Sequence, residues 1–117
     1  FPETGNVPLV ADATSDILSR VIDYSKFGLV YAGLQKNLGT SGTAVVIVRD
    51  DLLGNPLPQT PKLLDYTIFD KNNSLPNTIN VFAVYVMRLV LEWVKSKGGV
   101  SEMEKLAQKK STNLELI

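Results

Sequence analysis

The chain has 117 residues, of which 44% are apolar, so it can form one modest domain with a buried core, or a piece of something larger. Twelve basic and twelve acidic side chains cancel, and nucleic-acid binding has little support because no basic patch stands out. Cysteine and histidine are both absent. Their absence excludes disulfides, Ser-His and Cys-His catalysis and zinc sites built from these residues, and it leaves lysine, carboxylate, tyrosine and hydroxyl chemistry.

Targeting and membrane signals are missing from the sequence. The first residues, FPE, lack a methionine, a basic region and a signal-type apolar core, so we expect a chain that starts within a longer protein. The longest uncharged apolar stretch, Val81–Met87, is followed by Arg88 and Glu92. A membrane-spanning helix needs about 20 apolar residues, and this stretch is much shorter. We therefore expect a cytoplasmic protein with no membrane partner.

Three apolar runs predict buried β-strands: Val7–Ala11, Leu29–Ala32 and Ala44–Val48. Each run is continuous rather than alternating, which is typical of a sheet covered on both faces. About fifteen residues connect the first two runs, enough for a crossover between parallel strands. The brief polar turn at Gly39–Gly42 favours an antiparallel pairing of the second run with the third. The sequence therefore predicts a mixed α/β sheet.

The connections between these runs contain little regular structure. Within the first crossover, Ser15–Arg20 and Asp23–Phe27 have the composition of short helical turns. After the third run, the stretch Pro56–Pro76 contains four prolines and an Asn-Asn-Ser sequence. Such a stretch indicates a surface excursion rather than a second core.

The last part of the chain predicts two helices. A long apolar helix is expected from about Thr78 to Lys97, and a helix so apolar must be covered on most sides. Gly98-Gly99 would end it. Ser101 with Glu104 matches the S-x-x-E capping box, which predicts a final helix reaching towards Ile117.

Lys36 is the candidate for chemistry. It follows the second apolar run in the stretch VYAGLQKN, and a lysine at the end of a buried strand is solvated, paired or used as an amine. Asp12 ends the first run in an equivalent position. If the two strands are parallel, both side chains lie at their C-terminal edge, where open α/β sheets bind ligands. Proteins hold pyridoxal phosphate with such a pair, using a lysine Schiff base and a carboxylate at the pyridine nitrogen.

Each candidate residue also has a simpler interpretation. An isolated lysine in the position of Lys36 is more often a solvated loop residue. Asp12 alone is more often a turn former or a helix N-cap. The pair Asn77-Thr78 is a competent N-cap for the long helix. The residues taken one at a time leave these alternatives open.

At ADATSDILSR, VIDYSKFGLVYAGLQKN, VVIVRDDLLG and PNT, the chain resembles the phosphoserine aminotransferase family of fold-type-I pyridoxal-phosphate enzymes. The resemblance runs from about Val7 to the end of the chain. It implies an α/β fold with a partial, mixed and mostly parallel sheet from the large domain, followed by a long helix. Residues 1–97 would form the C-terminal part of the cofactor-binding large domain. Residues 98–117 would begin the small C-terminal domain.

The resemblance also implies roles for individual residues. Lys36 would bind pyridoxal 5'-phosphate through its amine and carry the catalytic proton, while Asp12 would keep the pyridine nitrogen protonated. Gln35 would contact the cofactor phosphate. Asn77 and Thr78 would reach the phosphate of the neighbouring subunit's cofactor, so that a homodimer shares its active sites. The implied substrates are L-glutamate and 3-phosphohydroxypyruvate, which yield O-phospho-L-serine and 2-oxoglutarate, and no metal is implied.

Four positions depart from the family pattern: Ala13, Val21, Leu34 and Pro76. Leu34 replaces a small alanine beside Gln35, so its added bulk could shift Gln35. The family's Gly-rich phosphate turn, stacking aromatic residue and substrate-binding arginines have no counterpart here, and we therefore expect no transamination by this chain alone. Two further interpretations remain, a non-catalytic truncated module of the same ancestry and an unrelated small α/β ligand-binding domain.

Overall fold

The computed structural model describes residues 1–115. Its sheet contains three strands in the order β1 (Val10–Asp12), β2 (Leu29–Gly33) and β3 (Ala44–Val48). β1 pairs with β2 in parallel, and the register places Asp12 opposite Tyr31. β2 pairs with β3 in the antiparallel direction. The predicted mixed sheet and both pairing directions are confirmed.

The first strand is displaced along the chain from its predicted bounds, Val7–Ala11. It begins at Val10 and includes Asp12 as its last residue. Pro8 has no N–H to give to a ladder, and the Val7 N–H donates instead to the Thr4 carbonyl at 3.1 Å. The Val7 side chain is 69% exposed. The apolar run was therefore a correct signal for a strand, but its first residues form the turn that enters it.

The described residues cover one face of the sheet. In β2, Val30 and Ala32 are buried, whereas Tyr31 between them is 40% exposed. Coverage of both faces, which the continuous apolar runs predicted, is not provided by residues 1–115. The core consists of buried aliphatic side chains from the strands, the turns after them and one helix: Ala13, Ile17, Val30, Ala32, Leu34, Leu38 and Ala83.

Short turns connect the strands. Residues 14–19 form consecutive turns rather than a helix, and a single 3-10 turn spans Tyr24–Lys26. Helix α1 (Tyr66–Lys71) lies inside the stretch predicted as an irregular excursion. It begins there because the Asp65 carboxylate accepts the Thr67 N–H at 2.9 Å and caps the helix. The prolines had indicated an irregular segment, although an aspartate such as Asp65 is a favourable N-cap residue.

Helix α2 spans Val81–Ser96 and begins later than the predicted Thr78. Its N-cap is Asn80, whose side-chain oxygen accepts the Ala83 N–H at 3.1 Å. The N-cap interpretation of Asn77-Thr78 is therefore wrong. Gly98 and Gly99 end the helix as predicted, with φ angles of 99° and 85° that a glycine adopts without strain.

Helix α3 spans Val100–Glu115, so Ser101 lies inside the helix rather than at its N-cap. The predicted capping box is wrong. The Glu104 carboxylate instead accepts the Val21 N–H at 3.2 Å, which links the helix to the turn region after β1. Ile117, to which the helix was expected to reach, lies outside the described residues.

Helix α2 has an apolar surface that the described residues leave open. Phe82, Tyr85, Leu89 and Trp93 are 67%, 57%, 45% and 53% exposed. The apolar sequence of this helix had predicted cover on most sides. Among residues 1–115 no segment supplies that cover. None of the described helices combines the length and the apolar character needed to cross a membrane.

Replacing Asn80 with alanine should destabilise the chain by about 0.5–2 kcal/mol, because the first turn of α2 loses its side-chain cap. Urea unfolding followed by circular dichroism measures this loss. The matched control is Thr78→Ala, since Thr78 is exposed and precedes the cap. Equal losses for the two variants would contradict the assignment of Asn80 as the cap.

Leu34→Ala should reduce the free energy of unfolding by about 2–5 kcal/mol, because the Leu34 side chain is fully buried and its removal leaves a cavity. The control is Leu57→Ala. The Leu57 side chain is 67% exposed, so its truncation should change the free energy of unfolding by no more than about 0.5 kcal/mol. Thermal unfolding of both variants gives the comparison. A Leu34→Ala variant as stable as the control would show that this core is not formed.

Candidate active site

Asp12 lies at the end of β1, at the edge of the sheet where the parallel strands finish. Its carboxylate oxygen accepts the Thr14 N–H at 2.8 Å. Hydrogen bonds from the side chain and then the backbone of Thr14 lower the pKa of Asp12, with smaller contributions from the Tyr31 hydroxyl and the charge of Lys36. The carboxylate is therefore ionised at neutral pH, as a group that receives a protonated ring nitrogen must be.

Tyr31 stands opposite Asp12 in the β1–β2 register. The charge of the Asp12 carboxylate raises the pKa of the Tyr31 hydroxyl, and burial and a hydrogen bond to the same carboxylate act in the same direction. The phenol therefore remains protonated at neutral pH beside the Asp12 carboxylate. Tyr31 was not predicted as part of the site, although the parallel pairing predicted for these strands brings the residues of β2 next to Asp12.

Lys36 lies in the turn that follows β2, and its side chain is exposed. Its Nζ donates to the Ser15 Oγ at 2.8 Å. The turn is closed by the Leu38 and Gly39 N–H groups, which both donate to the Leu34 carbonyl, at 3.1 and 2.7 Å. Because Leu34 and Leu38 are buried, the turn is held by the core while Lys36 remains accessible.

Two more hydrogen bonds join the Lys36 turn to the turn that follows Asp12. The Gly33 N–H donates to the Thr14 Oγ1 at 3.1 Å. The Asn37 amide donates to the Ile17 carbonyl at 2.6 Å. Together with the contact between Lys36 and Ser15, these bonds bring Asp12 and Lys36 to one edge of the sheet, as the parallel pairing predicted.

Gln35 is exposed and lies beside Lys36 at the same edge. Its amide occupies the space next to the Gly33 α-carbon, where a side chain on Gly33 would collide with the Gln35 Oε1. Leu34, which was expected to disturb Gln35 through its bulk, directs that bulk into the core and is fully buried. The departure from the family pattern at Leu34 therefore changes the core, while Gln35 remains available to a ligand.

Asn77 and Thr78 lie in the exposed segment before α2. The Asn77 amide donates to the Thr78 carbonyl at 3.1 Å. Within residues 1–115 no hydrogen bond connects either residue to Asp12 or Lys36. The structure of one chain thus does not unite this pair with the other predicted site residues.

The contacts of Ser15 and Thr14 were not anticipated in sequence analysis as part of the site. Thr14 follows Asp12 by two positions, which is the spacing at which an aspartate accepts a backbone N–H in an Asx turn. That local pattern could have indicated Thr14. Ser15 has no comparable signal, because its contact with Lys36 depends on the pairing of two strands distant in sequence. In the part of the chain that the structure describes, no cluster of acidic side chains could hold a metal ion.

The sequence of this chain is similar to a known protein family. The sequence model described as Aminotransferase class-V matches residues 3–116. The phosphoserine aminotransferase of Drosophila melanogaster is 58% identical over 105 residues, which are 90% of this chain and 29% of the relative. That of Stutzerimonas stutzeri is 58% identical over 103 residues, 88% of this chain and 28% of the relative.

Solved structures agree with the sequence relatives. Phosphoserine aminotransferase from Bacillus circulans subsp. alkalophilus has a TM-score of 0.89 and 50% identity, covering 94% of this chain and 30% of that one. The pyridoxal-phosphate-bound enzyme of Trichomonas vaginalis has a TM-score of 0.90 and 38% identity, covering 97% and 34%. The expected partial α/β fold of the fold-type-I enzymes is confirmed, and the chain spans about 30% of the length of these relatives. The chain belongs to the aminotransferase class-V family.

Proposed function

We propose that this chain is the lysine-bearing part of a pyridoxal-phosphate-dependent phosphoserine aminotransferase. The reaction moves an amino group from L-glutamate to 3-phosphohydroxypyruvate and gives O-phospho-L-serine and 2-oxoglutarate. The observation that carries this proposal is that Asp12 and the turn bearing Lys36 lie at the same C-terminal edge of two parallel strands, with the Lys36 amine bonded to Ser15 in the turn that follows Asp12. The names of the relatives support the same reaction. A location in the cytoplasm belongs to the same proposal.

The residues present fit pyridoxal phosphate. Lys36 supplies an exposed primary amine that donates to the neutral hydroxyl of Ser15, and no carboxylate among residues 1–115 forms an ion pair with it. Asp12 supplies an ionised carboxylate, because hydrogen bonds from Thr14 lower its pKa. Gln35 supplies an exposed amide that can donate to a phosphate oxygen. An amine, a carboxylate and a neutral donor are the groups that the aldehyde carbon, ring nitrogen and phosphate require.

Each residue has a distinct task in this proposal. The cofactor, when bound, supplies a conjugated ring that accepts electrons from the α-carbon of the substrate. The Lys36 amine would hold the cofactor at its aldehyde carbon, and as a free amine it would carry the proton between the substrate α-carbon and C4′. The Asp12 carboxylate would pair with the pyridine nitrogen and keep it protonated. Gln35 would donate to the phosphate and orient the ring.

The proposal includes a homodimer in which Asn77 and Thr78 donate to the phosphate of the neighbouring subunit's cofactor. Two observations support this part. Both residues are exposed, and neither is used as the N-cap of α2, a role taken by Asn80. Apart from the bond between the Asn77 amide and the Thr78 carbonyl, the capping of α2 by Asn80 leaves the side chains of this pair exposed to a partner.

The proposed domain division places residues 1–97 in the cofactor-binding domain and residues 98–117 at the start of the small domain. Gly98 and Gly99 support this boundary, because both have positive φ and together separate α2 from α3. The break between the two helices thus occurs where two glycines permit it.

A non-catalytic module of the same ancestry is the alternative function. The exposed apolar surface of α2 favours it, because a contiguous patch of Phe82, Tyr85, Leu89 and Trp93 is typical of a surface that binds another protein. The two functions differ in whether Lys36 reacts selectively with the cofactor, and one labelling experiment separates them.

Incubation of the chain with pyridoxal phosphate, followed by borohydride reduction and peptide mapping, should label Lys36 selectively. The physical reason is that Asp12 and Gln35 add cofactor contacts at this lysine that other surface lysines lack. The control is Lys36→Ala, which should lose this label while the other lysines are unchanged. Labelling scattered over many lysines, or none at all, would contradict the proposal for this chain and favour the non-catalytic module.

Asp12→Asn should lower the labelled fraction of Lys36 several-fold at limiting cofactor, because the amide keeps the shape and the Thr14 contact but cannot balance a protonated ring nitrogen. The native pKa of Asp12 lies below its ordinary value of 3.8, so the carboxylate protonates only as the pH falls through that lowered value. The difference between native and variant chains should therefore be the same throughout the neutral range, where the native carboxylate stays ionised. Equal labelling of both chains at neutral pH would remove Asp12 from the proposed site. The control is Asp51→Asn, whose carboxylate pairs with Arg49 on a separate turn.

A further inference from the structure

We propose that Ser15 is a positioning residue for Lys36, with a hydroxyl that holds the free amine in place between successive bonds to the cofactor. This inference rests on the proposed function and adds a residue to it. The Lys36 Nζ donates to the Ser15 Oγ at 2.8 Å, a normal hydrogen-bond distance. A lysine side chain has many rotamers in solution, so a fixed partner at its tip restricts where the amine stands.

The backbone around Ser15 is held firmly. The Asp16 and Ile17 N–H groups both donate to the Ala13 carbonyl, at 2.9 and 2.8 Å, and close the turn that contains Ser15. The Ala13 and Ile17 side chains are each 5% exposed and belong to the core. Ser15 itself is exposed between these two anchors. Its hydroxyl is therefore presented from a fixed turn and can act as a reference point for the lysine.

The two turns are also fixed relative to each other without any help from Lys36. The Gly33 N–H bonds to the Thr14 Oγ1, and the Asn37 amide bonds to the Ile17 carbonyl. Thr14 precedes Ser15 and Asn37 follows Lys36, so these bonds flank the contact between the amine and the hydroxyl. Loss of that contact should therefore release the Lys36 side chain while the two turns stay in place.

A hydroxyl suits an amine that must change its protonation state. Serine can accept from an ammonium group and can donate to the lone pair of a neutral amine, whereas a carboxylate can only accept and favours the charged form. The neighbouring acid, Asp16, is withdrawn from the amine because its carboxylate pairs with Arg20 at 2.6 Å and accepts from the Ser19 hydroxyl. The turn thus offers Lys36 a partner that serves both protonation states.

The test compares four substitutions in the full chain: Ser15→Ala, Ser15→Thr, Ser15→Asp and the control Ser111→Ala, an exposed serine on α3. The first measurement is NMR of the Lys36 side chain without cofactor. Native chain and Ser15→Thr should show two distinct Hε proton shifts, the signature of a held amine, and Ser15→Ala should show the single averaged shift of a free lysine. Ser111→Ala should match the native chain.

The second measurement is the pH profile of pyridoxal-phosphate labelling at Lys36. Ser15→Ala should lower the labelling rate roughly two- to tenfold without moving the profile, the effect expected for the loss of one hydrogen bond. Ser15→Thr should restore the rate. Ser15→Asp should move the midpoint of the profile to higher pH, because the added carboxylate favours the ammonium form.

The two measurements separate the inference from the function on which it rests. Native spectra and native labelling in Ser15→Ala would overturn the role of Ser15. A Lys36 signal that depends on Ser15, combined with no selective labelling of the native chain, would overturn the proposed function and with it the catalytic use of this contact. Two results together would support both the role of Ser15 and the proposed function. The Lys36 Hε shifts would average to one in Ser15→Ala, and its slower labelling would return to the native rate in Ser15→Thr.

Discussion

The parallel pairing of β1 with β2 is the constraint on which the arrangement of the candidate site depends. Parallel strands end at the same edge of a sheet, so the residues after Asp12 and those after Gly33 emerge side by side. An antiparallel pairing would place the same residues at opposite ends. A slip of one residue would move Tyr31 away from Asp12 and reverse which side chains of β2 face the core. The buried Val30 and Ala32 oppose that slip because it would expose them.

The core and the site are connected through the two turns at this edge. The buried side chains of Leu34 and Leu38 anchor the Lys36 turn to the core. Those of Ala13 and Ile17 anchor the turn after Asp12 in the same way. Side chains of the same turns that point outward supply the amine, the hydroxyl and the amides. Alternation between buried anchors and exposed polar groups is therefore what allows a surface site to be precise. A loop without such anchors would hold the same residues with less order.

Charge contributes little to holding this chain together. The ion pairs Arg20–Asp16, Arg88–Glu92 and Lys105–Glu102 are local contacts along the chain, and their side chains are well exposed. Exposed pairs of this kind are typically worth about 0–1 kcal/mol. Stability rests instead on a small aliphatic core, while the apolar surface of α2 stays open. At the candidate site, hydrogen bonds from Thr14 lower the pKa of Asp12.

The sequence by itself determined the mixed sheet, both pairing directions, the glycine stop of α2 and the placement of Asp12 and Lys36 at one edge. These features follow from apolar runs, loop lengths and turn residues, which are local properties. Only the tertiary structure decided that Asn80 caps α2, that Glu104 bonds to the turn after β1, and that the Lys36 amine donates to the Ser15 hydroxyl. The last two are contacts between segments far apart in the chain, and a cap depends on backbone geometry at one residue. Periodicity and composition predict neither the long-range contacts nor the exact position of the cap, because they describe neighbours in sequence rather than neighbours in space.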